Sequence, residues 1–144
     1  MSKIIYTQSD GTVAVIHPVD GDASKAIKDV PEGVAYEIVD DSVVPTDRSF
    51  RNAWVQDNKI IKTDMSKAKD EHRKNIRRAR TFKFPDLDVE YNKLSETSKD
   101  TSAVIAKKQA LRDAPADAAI DAASDEAELK AQWNTSILGT SPYS

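Results

Sequence analysis

The stretch DMSKAKDEHRKNIRRAR, residues 64–80, decides how the chain folds, because it is both its clearest helix and its one strongly basic segment. Met65, Ala68, His72, Ile76 and Ala79 recur at spacings of three, four, four and three, which lays them along one stripe of a helix. Asp64 stands at the N-cap, where its carboxylate accepts from free backbone N–H groups of the first turn. Asp70 and Glu71 lie nearer the positive end of the helix dipole, and Arg77, Arg78 and Arg80 nearer the negative end. Arg73, Arg77 and Arg80 form a guanidinium stripe beside the apolar one, a geometry that grips carboxylates or phosphates bidentately. His72 falls on the apolar stripe, so a partly buried ring bonded to a neighbouring carbonyl or carboxylate is expected.

The charge pattern is organised around this helix. Residues 1–61 carry a net charge of -4, residues 62–83 a net of +6 and residues 84–144 a net of -5, so the overall charge of -3 conceals a basic helix between two acidic regions. The acidic regions are expected to neutralise the helix, either within one chain or across a subunit boundary.

Upstream, KIIY (3–6) and TVAVI (12–16) are β-branched runs separated by Asp10-Gly11, a hairpin signal. Pro18 ends the second run, and Asp22 caps a short helix over 23–29. AYEIV (35–39) reads as a half-buried strand with Tyr36 and Ile38 inward, and residues 48–62 read as a second hairpin around Gln56-Asp57-Asn58 with Trp54 near its turn. Downstream, Phe82, Phe84 and Pro85 read as a hinge. Asp86–Glu96 and a helix capped by Asp100 or Thr101 and running to Arg112 then form an antiparallel helical hairpin. Within the Ala/Asp-rich tract 114–127, Ile120 is the lone apolar anchor; Ser124 caps a last helix in which Leu129 and Trp133 share a face.

The expected architecture is therefore α+β. A small mixed β-rich head domain occupies 1–62, a helical domain with the basic helix and the hairpin occupies 63–134, and 135–144 form a flexible C-terminal tail.

Composition removes most chemistries. The chain has no cysteine, and its two histidines, His17 and His72, lie far apart, which leaves no metal site of thiolate or paired-imidazole type. Four glycines cannot build a phosphate-cradling loop, and no acid sits in an apolar setting that would tune it for proton transfer. No enzyme activity and no cofactor are expected. No apolar run is long enough to span a bilayer, and the start MSKIIYTQSDG lacks the apolar core of a signal peptide, so a product of the cytoplasm without membrane association is expected. A pI of 5.4 and the lack of aromatic residues within the basic helix argue against nucleic acid as the partner. Candidate partner-interface residues are Trp54, Arg73, Arg77, Arg80 and Trp133, the tryptophans as apolar anchors and the arginines as grips for acidic faces.

Several strings, taken together, resemble one family. YEIVDDSVVPTDRSFRNAW (36–54), DMSKAKDEHRKNIRRAR (64–80), LDVEYNKL (87–94), KKQALRD (107–113) and ELKAQW (128–133) are similar to segments of small proteins encoded in the structural-gene clusters of tailed bacteriophages and prophages. In that family a β-rich head carrying an FRNAW-like element precedes a basic helix and a helical hairpin; TFKFPD after Arg80 departs from it in being more aromatic. The resemblance implies no catalytic residues. It implies a virion component of the tail, neck or fibre-attachment region, made in the host cytoplasm, oligomeric in the assembly and bound to other phage structural proteins. A tail or tail-fibre assembly chaperone is the alternative, and a nucleic-acid-binding accessory protein a further one.

Overall fold

The computed structural model describes residues 1–143 and divides at Ala68/Lys69 into two compact units. The protein is α+β, an antiparallel β region followed by a helical region.

In the first unit, β1 (Ser2–Thr7) is the middle strand of a three-stranded sheet, flanked by β2 (Val13–Ile16) and β3 (Glu37–Asp40). Both pairings are antiparallel, with Ile5 opposite Val15 and Ile4 opposite Ile38. Consecutive side chains on a strand point to opposite faces, so β1 feeds two cores. Ile5 packs with Val39, Val44, Trp54 and Ile61, while Ile4 packs with Ala23 and Ala26 of a 3-10 helix, Ala23–Asp29. Asp22 caps that helix by accepting from the Ser24 N–H at 3.0 Å, as read from the sequence.

Three local expectations change. All strand pairings are antiparallel, so the sheet is not mixed. On β3 it is Val39 that is buried, while Tyr36 and Ile38 are exposed: pairing Val39 with Lys3 puts it on the Ile5 face, and a one-residue change of phase exchanges the two faces of a strand. The second hairpin exists as β4 (Trp54–Asp57) and β5 (Ile60–Thr63), but Trp54 pairs with Thr63 at its open end, away from the turn. The turn is short because Asn58 adopts φ +53°, a left-handed conformation that asparagine tolerates.

The basic stretch begins α1 (Met65–Glu96), and its specification is visible in the structure. The Asp64 carboxylate accepts from the Ser66 N–H at 3.0 Å, and Ala68, His72 and Ile76 are buried along the stripe. The hinge expected at Phe82–Pro85 does not form, and α1 runs through Pro85. Proline's fixed φ is compatible with a helix. What it loses is the bond to the carbonyl four residues back, that of Thr81, an exposed residue. The helix ends in a Schellman motif, with Lys99 N–H on the Leu94 carbonyl (2.8 Å), Ser98 N–H on that of Ser95 (3.1 Å) and Ser98 at φ +53°.

The rest of the second unit comprises α2 (Ser102–Asp113), α3 (Ala118–Ala122), α4 (Glu126–Lys130) and α5 (Thr135–Leu138). Asp100 caps α2 through the Ser102 N–H (2.9 Å). Ile120 is fully buried, the anchor its sequence context implies, and Leu129 and Trp133 are buried together. Asp125 caps α4 by accepting from the Glu128 N–H (2.8 Å), whereas Ser124 bonds the Glu128 carboxylate through its own N–H (2.8 Å) and hydroxyl (2.9 Å); the cap thus stands one residue later than expected. No helix among the described residues is long and apolar enough to cross a membrane.

Candidate protein-contact surface

α2 runs antiparallel to α1, and side chains of α1 meet the returning chain in reverse order. Asp88 pairs with Lys108, whose ammonium also lies 5.6 Å from the centre of the Tyr91 ring. Arg80 donates from Nη1 to the carbonyls of Leu111 (3.3 Å) and Arg112 (3.1 Å). Arg73 donates from Nε to the Pro115 carbonyl (3.1 Å) and pairs with Asp121, and Lys69 donates to the Asp121 carbonyl at 2.8 Å. The carbonyls of Leu111 and Arg112 belong to the last turn of α2 and lack helical partners, so Arg80 acts as a C-terminal cap and places its charge at the negative end of that helix dipole. Here neutralisation of the basic helix takes place within the chain.

The guanidinium stripe is therefore split. Arg73 and Arg80 are engaged with the chain's own carbonyls and Asp121, while Arg77, and Arg78 beside it, are exposed with no side-chain ion pair or hydrogen bond among the described residues. Helical spacing placed the three arginines together but could not reveal that the end of α2 would lie against two of them.

The tryptophans are packed inside their own units. Trp54 is 2% exposed, in the core of the first unit. Trp133 is 9% exposed and donates from Nε1 to the Gly139 carbonyl at 3.0 Å. It stands edge-on to His72 and Tyr143, with ring centres 6.1 Å away in each case, and the His72 and Tyr143 rings lie nearly parallel. The segment expected to be a flexible tail thus makes fixed contacts: Asn134 caps α5, Leu138 is buried, and the Tyr143 hydroxyl meets His72 Nδ1 at 2.6 Å and Asn75 Nδ2 at 3.3 Å. Its apolar residues carry enough burial to fix it, although its Ser/Thr/Gly/Pro composition suggested otherwise.

The Tyr143 hydroxyl thus accepts from Asn75 and shares a hydrogen bond with His72 Nδ1, which ties the imidazole to the C-terminal segment. Nε2 is buried with no hydrogen-bond partner among the described residues. Burial holds the His72 pKa below its ordinary value; the Gln132 backbone acts the other way, and the Arg73 charge adds to the depression. Burial likewise raises the pKa of Tyr143, with the Glu71 charge adding to it and the Asn75 hydrogen bond opposing. A group whose folded pKa is depressed contributes stability that is present above its unfolded value, about 6.5, and lost as pH falls toward the folded value. Urea midpoints are accordingly expected to hold between about pH 7 and 8 and to fall from about pH 6.5 to 5, with His72→Gln abolishing that dependence. A wild-type midpoint that rises on acidification over this window would contradict a lowered His72 pKa.

What remains on the outside is the second half of α1. Beyond Ile76 this helix contributes no buried residue; Phe82 is 74% and Val89 52% exposed. Ile105 of α2 is exposed as well. Phe82 lies one helical turn from the unopposed Arg78, and an exposed aromatic ring next to a guanidinium suits contact with another protein, since aromatic and arginine residues dominate the centres of such contacts. Among the described residues, no group of three or more His, Cys, Asp or Glu is arranged to hold a metal ion.

Comparison of the chain with protein-family models, with curated proteins and with solved structures returns no match.

Proposed function

We propose that the protein is a structural component of a tailed-phage virion, placed in the tail, neck or fibre-attachment region and acting through protein–protein contacts in several copies. The observation that carries this reading is the outer half of α1, where Phe82 and Val89 stand exposed and Phe82 lies one turn from the unpaired Arg78 on the same face, with Arg77 exposed on the adjoining one. The family resemblance of the strings around that helix supports it. Arg77, Arg78 and Phe82 are the contact residues in this account; Trp54 packs within the first unit, and Trp133, Arg73 and Arg80 are engaged within the second.

The experiment is to introduce Arg77→Glu and, separately, Phe82→Ser into the phage genome and quantify the protein in purified particles. Both side chains are exposed, so helix content and urea midpoint of the free protein should stay within about 0.5 kcal/mol of wild type, the usual range for surface changes. Incorporation should fall at least about tenfold, the effect of losing about 1.4 kcal/mol at each contact. Unchanged incorporation of both variants would contradict the proposal.

An assembly chaperone is the second reading, since exposed apolar residues such as Phe82 and Val89 also suit a contact that is made and released.

A further inference from the structure

The segment DRSFRNAW, residues 47–54, builds a second feature that the contact surface on α1 does not use. Its apolar residues go inward: Phe50, Ala53 and Trp54 are all buried. Its polar residues stay out, and two of them are brought together by the backbone, since the Arg51 N–H bonds the Arg48 carbonyl at 3.2 Å in a tight turn. Arg48, Arg51 and Asn52 line one side of a cleft of about 230 Å³. Gln8, Thr12, Val13, Val15 and Trp54 complete its lining.

The chemistry of this cleft is one-sided. Neither guanidinium has an ion-pair or hydrogen-bond partner among the described residues, and the same holds for the Asn52 amide. Gln8 meets the Thr12 hydroxyl at 2.8 Å and is engaged there. The two carboxylates next to the lining residues in sequence are engaged in their own turns. Asp10 accepts from the Thr12 N–H (2.9 Å) and hydroxyl, and Asp47 from the Ser49 N–H (3.0 Å) and hydroxyl (2.7 Å). The unused charged groups are thus both donors, planar forks that match a carboxylate, in a cleft also lined by the half-buried Val13 and Val15 over the buried Trp54.

We propose that this cleft binds a carboxylate carried on an apolar stem. The Arg48 and Arg51 guanidiniums take the two oxygens and the exposed parts of Val13 and Val15 take the methylenes. A free carboxylic acid and an acidic side chain of a partner protein share that chemistry. The inference is independent of where the protein acts.

The test is a titration of the full ¹⁵N-labelled chain followed by NMR, with butyrate, inorganic phosphate, sodium chloride at matched ionic strength, and the blocked peptide Ac-Ala-Glu-Leu-Glu-Ala-NH2. Butyrate should give saturable shifts at Thr12 and Arg51–Trp54, and chloride none. Arg48→Gln and Arg51→Gln should each weaken binding by about fivefold or more, while Lys99→Gln, an equal charge change in the second unit, should leave it within about twofold. All three residues are exposed, and unchanged shift dispersion verifies folding. A peptide bound about tenfold more tightly than butyrate assigns the carboxylate to a protein partner; equal or weaker binding assigns it to a small acid. Failure of both probes to saturate in an arginine-dependent way, or tighter binding of phosphate than of butyrate, would overturn the proposal.

Discussion

Trp133→Ala is expected to destabilise the second unit by about 3–5 kcal/mol, the range for deleting a large buried aromatic side chain. The substitution removes the ring that stands against both His72 and Tyr143 and the Nε1 donor to Gly139, so the carbonyl of Gly139 also loses its partner. Because whole domains are stable by only about 5–15 kcal/mol, much of the unit's reserve disappears. Circular dichroism at 222 nm during urea unfolding reads the effect, since the second unit is the helical one. A midpoint within error of wild type would mean that Trp133 is idle in the free chain, as an interface anchor waiting for a partner would be.

The second large effect has the opposite sign. Pro85→Ala should stabilise α1 by up to about 3 kcal/mol, the difference between proline and alanine inside a helix. Position 85 is exposed, so an alanine there meets no packing constraint, and its N–H restores the bond to the Thr81 carbonyl. The gain should appear as a higher urea midpoint together with slower amide exchange around Thr81–Val89. A loss of stability would instead favour the hinge implied by the sequence, with Pro85 needed at a bend.

The parts of the fold that were legible in the sequence are those governed by neighbours along the chain. The buried stripe Ala68, His72 and Ile76 follows from helical period, and the Asp22, Asp64 and Asp100 caps from local hydrogen-bond chemistry. What could not be read depends on partners far away in sequence. His72 and Tyr143 are 71 positions apart, and no pattern near either one announces the other. Arg80 looked like Arg77 on the helix surface until α2 presented its last carbonyls 31 and 32 positions away. The Trp54 position in its hairpin depended on register, which a short turn containing Asn58 sets and which composition does not.

The candidate surface shows the same division. In the sequence Phe82 reads as part of an apolar hinge with Phe84 and Pro85, and Val89 carries no signal of its own. Their exposure follows from α2 and the C-terminal segment lying against other faces of α1, which is a tertiary fact. Arg77 belongs by helical spacing to a stripe of three; it stands out because its two companions are engaged elsewhere.

The most direct test of the proposed role is quantitative mass spectrometry of purified phage particles beside the crude lysate, with the copy number of this chain referred to a capsid protein. A structural tail, neck or fibre-attachment component should be retained through purification at a fixed, small symmetric multiple per particle, and Arg77→Glu should reduce that number. Abundance in the lysate with loss from the particles would contradict a structural role and identify the chain as a transient assembly factor.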